Sequence, residues 1–261
     1  ANQASGAVTP QLSDFEDAGI TGLVAGDIAM INALLIQREA ADDGIATTPF
    51  GIQSVVNAGL AAIFKIRDAA ENNTADSGGL VVADYTAVGI DANDIVDVDA
   101  LNSALDSQPV NGVIARSFTT LSEVVTAVKN LLINADEGDA GADGVALTAD
   151  DLIAMGVSGL VATTGEPAKQ TAAVAIFNDL IDTKADADVD TVAKTQALYD
   201  AVQAVLRTAT GDTPMVTKVQ LGLLGFDVDN ADSNVLTDVT DNNLSAIQQV
   251  LINLNLDTDF T

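Results

Sequence analysis

The chain contains no cysteine, no histidine and no tryptophan. Without histidine it cannot build a Ser-His-Asp or Cys-His apparatus, and without both His and Cys it lacks the usual ligands for zinc, haem and iron-sulfur clusters. Most familiar enzyme mechanisms are excluded, and Ser13, Ser54 and Ser122 have no base to activate them. The missing cysteines leave any extracellular stability to packing or bound metal rather than disulfides, so they do not report the redox compartment. Aromatics are scarce as well. With two Tyr and seven Phe, the chain lacks the platforms expected of a sugar cleft, which argues against a glycosidase built on paired carboxylates. Positive charge is the other deficit: ten Lys plus Arg, scattered and forming no patch, stand against 38 Asp plus Glu, a formal net charge of −28. Such a chain repels nucleic-acid phosphates and anionic membrane surfaces, and it favours solubility and cations. No uninterrupted apolar run reaches the ~18 residues that span a bilayer. The segment from Gly59 to Phe64 is broken by Lys65 and Arg67, so no membrane insertion is expected. The opening Ala1-Asn-Gln-Ala-Ser-Gly has no Met, basic region or apolar region, and predicts a processing point or an excised piece.

What is present is apolar and periodic. Of 261 residues, 48% are hydrophobic, enough to bury a core despite the charge. One eight-residue phrase occurs four times: Ile28-Ala-Met-Ile31-Asn-Ala-Leu34-Leu35, Val98-Asp-Ala-Leu101-Asn-Ser-Ala104-Leu105, Val174-Ala-Ile-Phe177-Asn-Asp-Leu180-Ile181 and Leu244-Ser-Ala-Ile247-Gln-Gln-Val250-Leu251. Apolar side chains fall at i, i+3, i+6 and i+7, with Asn or Gln at i+4. This spacing predicts a helix with one apolar stripe and a wet opposite face.

A second signature precedes each copy. A large apolar residue (Phe15, Tyr85, Leu152, Leu221) sits four before a glycine (Gly19, Gly89, Gly156, Gly225), and Ile20, Ile90, Val157 or Phe226 follows that glycine. It reads as a short helix stopped by a glycine in the left-handed conformation, with the next side chain folded back onto the turn. The glycines are 70, 67 and 69 residues apart. A third signature, beginning at Ile52, Leu121 and Thr195, again has helical spacing, with Ala58, Ala127 and Ala201 aligned. Thr48 and Thr120 have the residue type of helix N-caps.

The predicted fold is therefore all-α: tandem three-helix repeats of about 69 residues stacked as an array. The boundaries are a lead at 1–8, repeats at 9–80, 81–146 and 147–215, and a partial repeat at 216–261. Repeats three and four carry nine or ten extra residues between the glycine and the Asn- or Gln-bearing helix. Only ten residues follow Leu251, with no counterpart of the third helix, so Leu244, Ile247, Val250 and Leu251 are expected to form an exposed apolar stripe and an assembly interface.

The best metal candidate is the stretch from Asp139 to Asp150, with Asp139, Asp143 and Asp150 at loop positions 1, 5 and 12 and Gly144 at position 6 of an EF-hand-like register. Gly141 replaces the position-3 ligand, and Asp150 the longer Glu. A calcium site and a solvated acidic turn both fit. The clusters Asp91/Asp94/Asp97/Asp99, Asp186/Asp188/Asp190 and Asp227/Asp229/Asp232 suit helix capping and solvation equally well. Gly222-Leu-Leu-Gly225 is too apolar for a phosphate loop, and Asn72-Asn73-Thr74 fits a glycosylation sequon.

The pattern Leu147-Thr-Ala-Asp-Asp-Leu-x-x-Met-Gly-Val-x-Gly-Leu160, then an Asn-bearing helix, then Asp190-Thr-Val-Ala-Lys-Thr-Gln-Ala-Leu198, resembles the acidic helical repeats of very large bacterial surface proteins. These are similar to biofilm-associated and type I secreted adhesins. The resemblance spans nearly the whole chain. It implies an extracellular or cell-surface, often calcium-bearing, structural or adhesive role without a catalytic site. The expectation is a non-catalytic spacer or self-assembling subunit that associates with copies of itself or with neighbouring repeats. The alternative is a calcium- or small-ligand-binding helical module, for which Gly59, Thr195 and Tyr199 mark where one repeat departs from the others.

Overall fold

The computed structural model describes residues 9–40, 48–75, 79–107, 118–135, 145–162, 167–228 and 238–253. Among these no strand forms, and a single parallel bridge joins Val228 to Val239. The helices run in the order α1 (Leu12–Asp17), α2 (Ile28–Ala40), α3 (Pro49–Glu71), α4 (Val82–Thr86), α5 (Val98–Asp106), α6 (Phe118–Asn134), α7 (Ala149–Met155), α8 (Ala168–Ile181), α9 (Val192–Ala209), α10 (Lys218–Leu223) and α11 (Leu244–Asn253). The all-α class is therefore observed. By compactness the chain divides into two units, Ala1–Lys129 with Ala154–Gly156 and Asn130–Ile153 with Val157–Thr261.

The short helices α1, α4, α7 and α10 are too brief to be stable alone, so their ends are closed by hydrogen bonds. At each start the side chain of the third helical residue, Asp14, Asp84, Asp151 or Gln220, accepts from the backbone N–H of the preceding N-cap residue at 2.8–2.9 Å. This is the return bond of a capping box. At each end the expected glycine is left-handed: φ is +79° at Gly19, +95° at Gly89, +98° at Gly156 and +93° at Gly225. The N–H of Ile20, Ile90, Val157 or Phe226 then donates to the carbonyl of Phe15, Tyr85, Leu152 or Leu221 at 2.9–3.2 Å, the Schellman arrangement. Ile20, Ile90 and Val157 fold back and are buried, as the sequence predicts. Phe226 does not, and is 53% exposed.

Within the first unit α3 packs against α2, α4 and α5; within the second α9 packs against α8, α10 and α11. α3 is long and apolar enough to cross a membrane by length and composition only; about a third of it is buried, Val56 and Ile66 fully, while Phe50 and Phe64 are exposed. Thr48 caps α3 as expected, accepting from Gly51 N–H at 3.1 Å. Thr120 does not cap α6, which already begins at Phe118. The phrase at Val174 lies in mid-helix, because α8 starts six residues earlier behind Pro167, whose fixed φ suits a helix entrance.

The three departures are packing features. A methyl group on Gly59 would lie 2.6 Å from Leu34 Cδ1 and 3.3 Å from Ile31 Cδ1, so large side chains on α2 use the space a bare backbone leaves. Thr195 Oγ1 donates to the carbonyls of Val189 and Thr191. Tyr199 meets Phe177 edge-on, ring centroids 5.8 Å apart, and its hydroxyl accepts from Gln203.

Candidate functional site

The residue at i+4 of the repeated phrase is tied to the main chain, buried at Asn32 and Asn102 and partly buried at Asn178 and Gln248. Asn32 Nδ2 donates to the Pro10 carbonyl at 3.0 Å, Asn102 Nδ2 to Leu80 at 3.1 Å, Asn178 Nδ2 to Leu147 at 2.9 Å, and Gln248 Nε2 to Val216 at 2.8 Å. In every case the acceptor stands two residues before the short helix that precedes the phrase. Four amides thus clasp the long helix to the entrance of the short one. The clasp spans 22 residues in the first two copies, and 31 and 32 in the others. The nine or ten inserted residues noted in the sequence leave the bond in place.

The clasps differ in how fully they are satisfied. Asn178 is bidentate, accepting from Leu147 N–H at 2.9 Å. Pro10 has no N–H to offer Asn32 Oδ1, which is buried and finds no donor among the described residues. Asn102, 1% exposed, accepts instead from the buried Tyr85 hydroxyl. Burial, reinforced by the charges of Asp84 and Asp106, pushes the Tyr85 phenol far above its ordinary pKa of 10.0. Above about pH 10 the unfolded chain releases this proton while the folded chain holds it, so this stabilisation is complete below pH 10 and is lost as pH rises further. Chemical denaturation between pH 8 and 11 should show a fall in stability above pH 10 that flattens in Tyr85→Phe; an identical profile in the variant would refute the assignment.

A second set of ties links consecutive helix groups. Near or just after the end of one long helix, Gln37 Nε2 donates to the Gly89 carbonyl at 2.9 Å and Lys184 Nζ to the Leu223 carbonyl at 2.8 Å, each acceptor at the end of the next short helix. A third joins Gln53 to the backbone of Thr21, two residues after Gly19, and Gln196 to that of Ser158, two after Gly156.

Several carboxylates of the acidic clusters serve as caps or surface pairs. Asp91 accepts from Asn93 N–H and Asp97 from the N–H groups of Asp99 and Ala100. Asp94 pairs with Lys129 and Asp190 with Lys194, both at 2.7 Å and substantially exposed. Pairs of this kind contribute little. Asp229 and Asp232 lie outside the described residues, as do Asp139 and Asp143 of the candidate calcium loop. Asp150 is exposed in the first turn of α7. Among the described residues no group of three or more carboxylates is placed to hold a metal ion.

No protein-family model, curated protein or solved structure matches the chain. The last of the expected site features is the stripe on α11. Leu244, Ile247 and Leu251 are partly buried against a small core of Ala204, Val216, Leu221 and Val239, while Val250 is 57% exposed. The residues matching Ile247 in the other phrases, Ile31, Leu101 and Phe177, are all completely covered; of those matching Val250, Leu34 and Ala104 are buried and Leu180 is partly buried. The α11 stripe is half covered: one side rests on α9 and α10, and the side bearing Val250 is open. Periodicity found the stripe but not the packing partner of its inner side.

Proposed function

We propose that the chain is a non-catalytic structural protein of the bacterial cell surface or extracellular matrix, a tandem array of three-helix repeats serving as a spacer or self-assembling subunit in adhesion and biofilm. The observation that carries this reading is the fourfold amide clasp. Its recurrence with the capping bonds and glycine turns supports one supersecondary unit used repeatedly, and the ties from Gln37 and Lys184 to the next short helix support stacking of consecutive units. These devices spend the chain's polar side chains on fixing helices to one another. The open side of α11 is the assembly face, its occupant a second copy of the chain, and a contact between unlike surfaces propagates into a filament or layer unless it closes into a ring. Calcium held by Asp139, Asp143 and Asp150 would offset part of the local negative charge that opposes such contacts.

Negative-stain microscopy of the purified chain across a calcium series tests both parts. Filaments or sheets are expected as calcium rises, with the onset moved to higher calcium in Asp139→Ala and assembly lost in Val250→Asp while the helical circular dichroism is retained. Dispersed monomers under every condition would sink the assembly reading.

A further inference from the structure

In the second unit a groove of about 480 Å³ opens between the first turns of α9 and the end of α10. Its floor is apolar, made by Ala193, Ala197, Leu198 and Leu223, and its rim carries Lys184, Lys194 and Asp188. Two of the ten basic residues in a chain with 38 acidic ones thus meet at one concavity. Among the described residues Lys184 has no carboxylate partner, while Lys194 is paired with Asp190 and keeps one N–H donor unspent. Lys184 makes one hydrogen bond, to the neutral Leu223 carbonyl at 2.8 Å, and Lys194 makes two, to the Ala187 carbonyl and Asp190, both at 2.7 Å. An ammonium has three N–H donors, so among the described residues two are unspent on Lys184 and one on Lys194. The bonds already made hold both side chains at the rim, which lowers the ordering cost for a ligand. At the positions that align with Lys184 and Lys194, the second repeat has Gln108 and Thr120 and the first has Arg38 and Gly51; a basic residue at the first position recurs once, and the pair is found only here.

From this geometry we propose that the groove binds a medium-chain carboxylate, its head on Lys184 and Lys194 and its tail along Ala197, Leu198 and Leu223. The volume is in the range of small-ligand sites, and an apolar floor with a few convergent polar groups is their usual composition. Because the whole chain repels anions at a distance, the apolar tail is required: the short-range donors and the floor act together, and a small inorganic anion gains too little to bind. The proposal is independent of assembly.

The test is titration of the full chain with sodium octanoate, followed by amide ¹H–¹⁵N correlation spectra. Saturable shifts confined to residues 184–198 and 222–223 are expected, with Kd on the order of 1 mM for a ligand of this size. Lys184→Ala and Lys194→Ala should each weaken binding about fivefold or more, Lys184→Arg should retain it, and Ala197→Phe, which fills the groove and leaves both lysines in place, should abolish it. Absence of a saturable shift at about ten times that concentration, unchanged affinity in Ala197→Phe, or equal affinity for octylammonium would each overturn the proposal.

Discussion

Asn102→Ala is expected to destabilise the first unit by about 3 kcal/mol, the largest loss from any clasp, because it strands two buried polar groups at once. In the native chain Asn102 Nδ2 donates to the Leu80 carbonyl and its Oδ1 accepts from the Tyr85 hydroxyl, and all three residues are buried. An unsatisfied buried group costs about 1–3 kcal/mol, so two together exceed the ordinary effect of a surface substitution several-fold. Water entering the small cavity would recover part of this, which sets the estimate below the sum of the maxima. In a Tyr85→Phe background the same substitution strands only the Leu80 carbonyl, and the cost should fall by about 1–2 kcal/mol, a coupling that urea unfolding resolves. Gln248→Ala provides the contrast. Its bond to Val216 has the same place in the pattern, but Gln248 is only partly buried, so water can replace it and the loss should be about 1 kcal/mol. Equal losses at Asn102 and Gln248 would show that the clasp acts through register alone, and not through burial of its partners.

The helical class and the glycine turns were legible because both are local. An apolar period of three to four residues identifies a helix whatever it packs against, and a glycine after a short apolar helix needs only its own neighbours to become left-handed. The clasp was not legible by the same logic. Asn32, Asn102, Asn178 and Gln248 look like wet-face residues on a helical wheel, and their acceptors are main-chain carbonyls 22 to 32 residues away that have no side-chain signature. One signal was available: an amide recurring at the same step of an otherwise apolar phrase is more than solvation requires. Capping depended on the helix start. Thr48 precedes Pro49, which fixes the entrance, whereas nothing at Leu121 prevents the helix from extending back through Thr120 to Phe118. The α11 stripe was found in sequence, but its division into an inner side on Val216 and Leu221 and an open side at Val250 depends on α9 and α10, which periodicity within α11 cannot report.

Gly89→Ala should cost about 3 kcal/mol, against about 1 kcal/mol for Gly19→Ala and Gly225→Ala, although all three glycines have nearly the same backbone conformation. Left-handed φ alone penalises alanine by about 1–2 kcal/mol, so a conformational effect predicts three similar losses. The surroundings separate them. A Cβ on Gly19 or Gly225 would meet nothing within 4 Å, whereas on Gly89 it would lie 3.1 Å from Ala33 Cβ and 3.4 Å from the Leu34 backbone nitrogen. Those atoms belong to the body of α2 and cannot rotate away as the tip of a long side chain can. Relief requires α2 and the turn after α4 to move apart, and that displacement also stretches the bond from Gln37 Nε2 to the Gly89 carbonyl. Overpacking adds about 1–3 kcal/mol, and a lost hydrogen bond about 1 kcal/mol more if the turn shifts far enough. The measurement is the urea midpoint of the three variants at unchanged m-value. A much larger shift for Gly89→Ala identifies this glycine as the place where consecutive helix groups touch backbone to backbone; three equal shifts would mean that the turns are held by local conformation only and that the approach to α2 carries no stability.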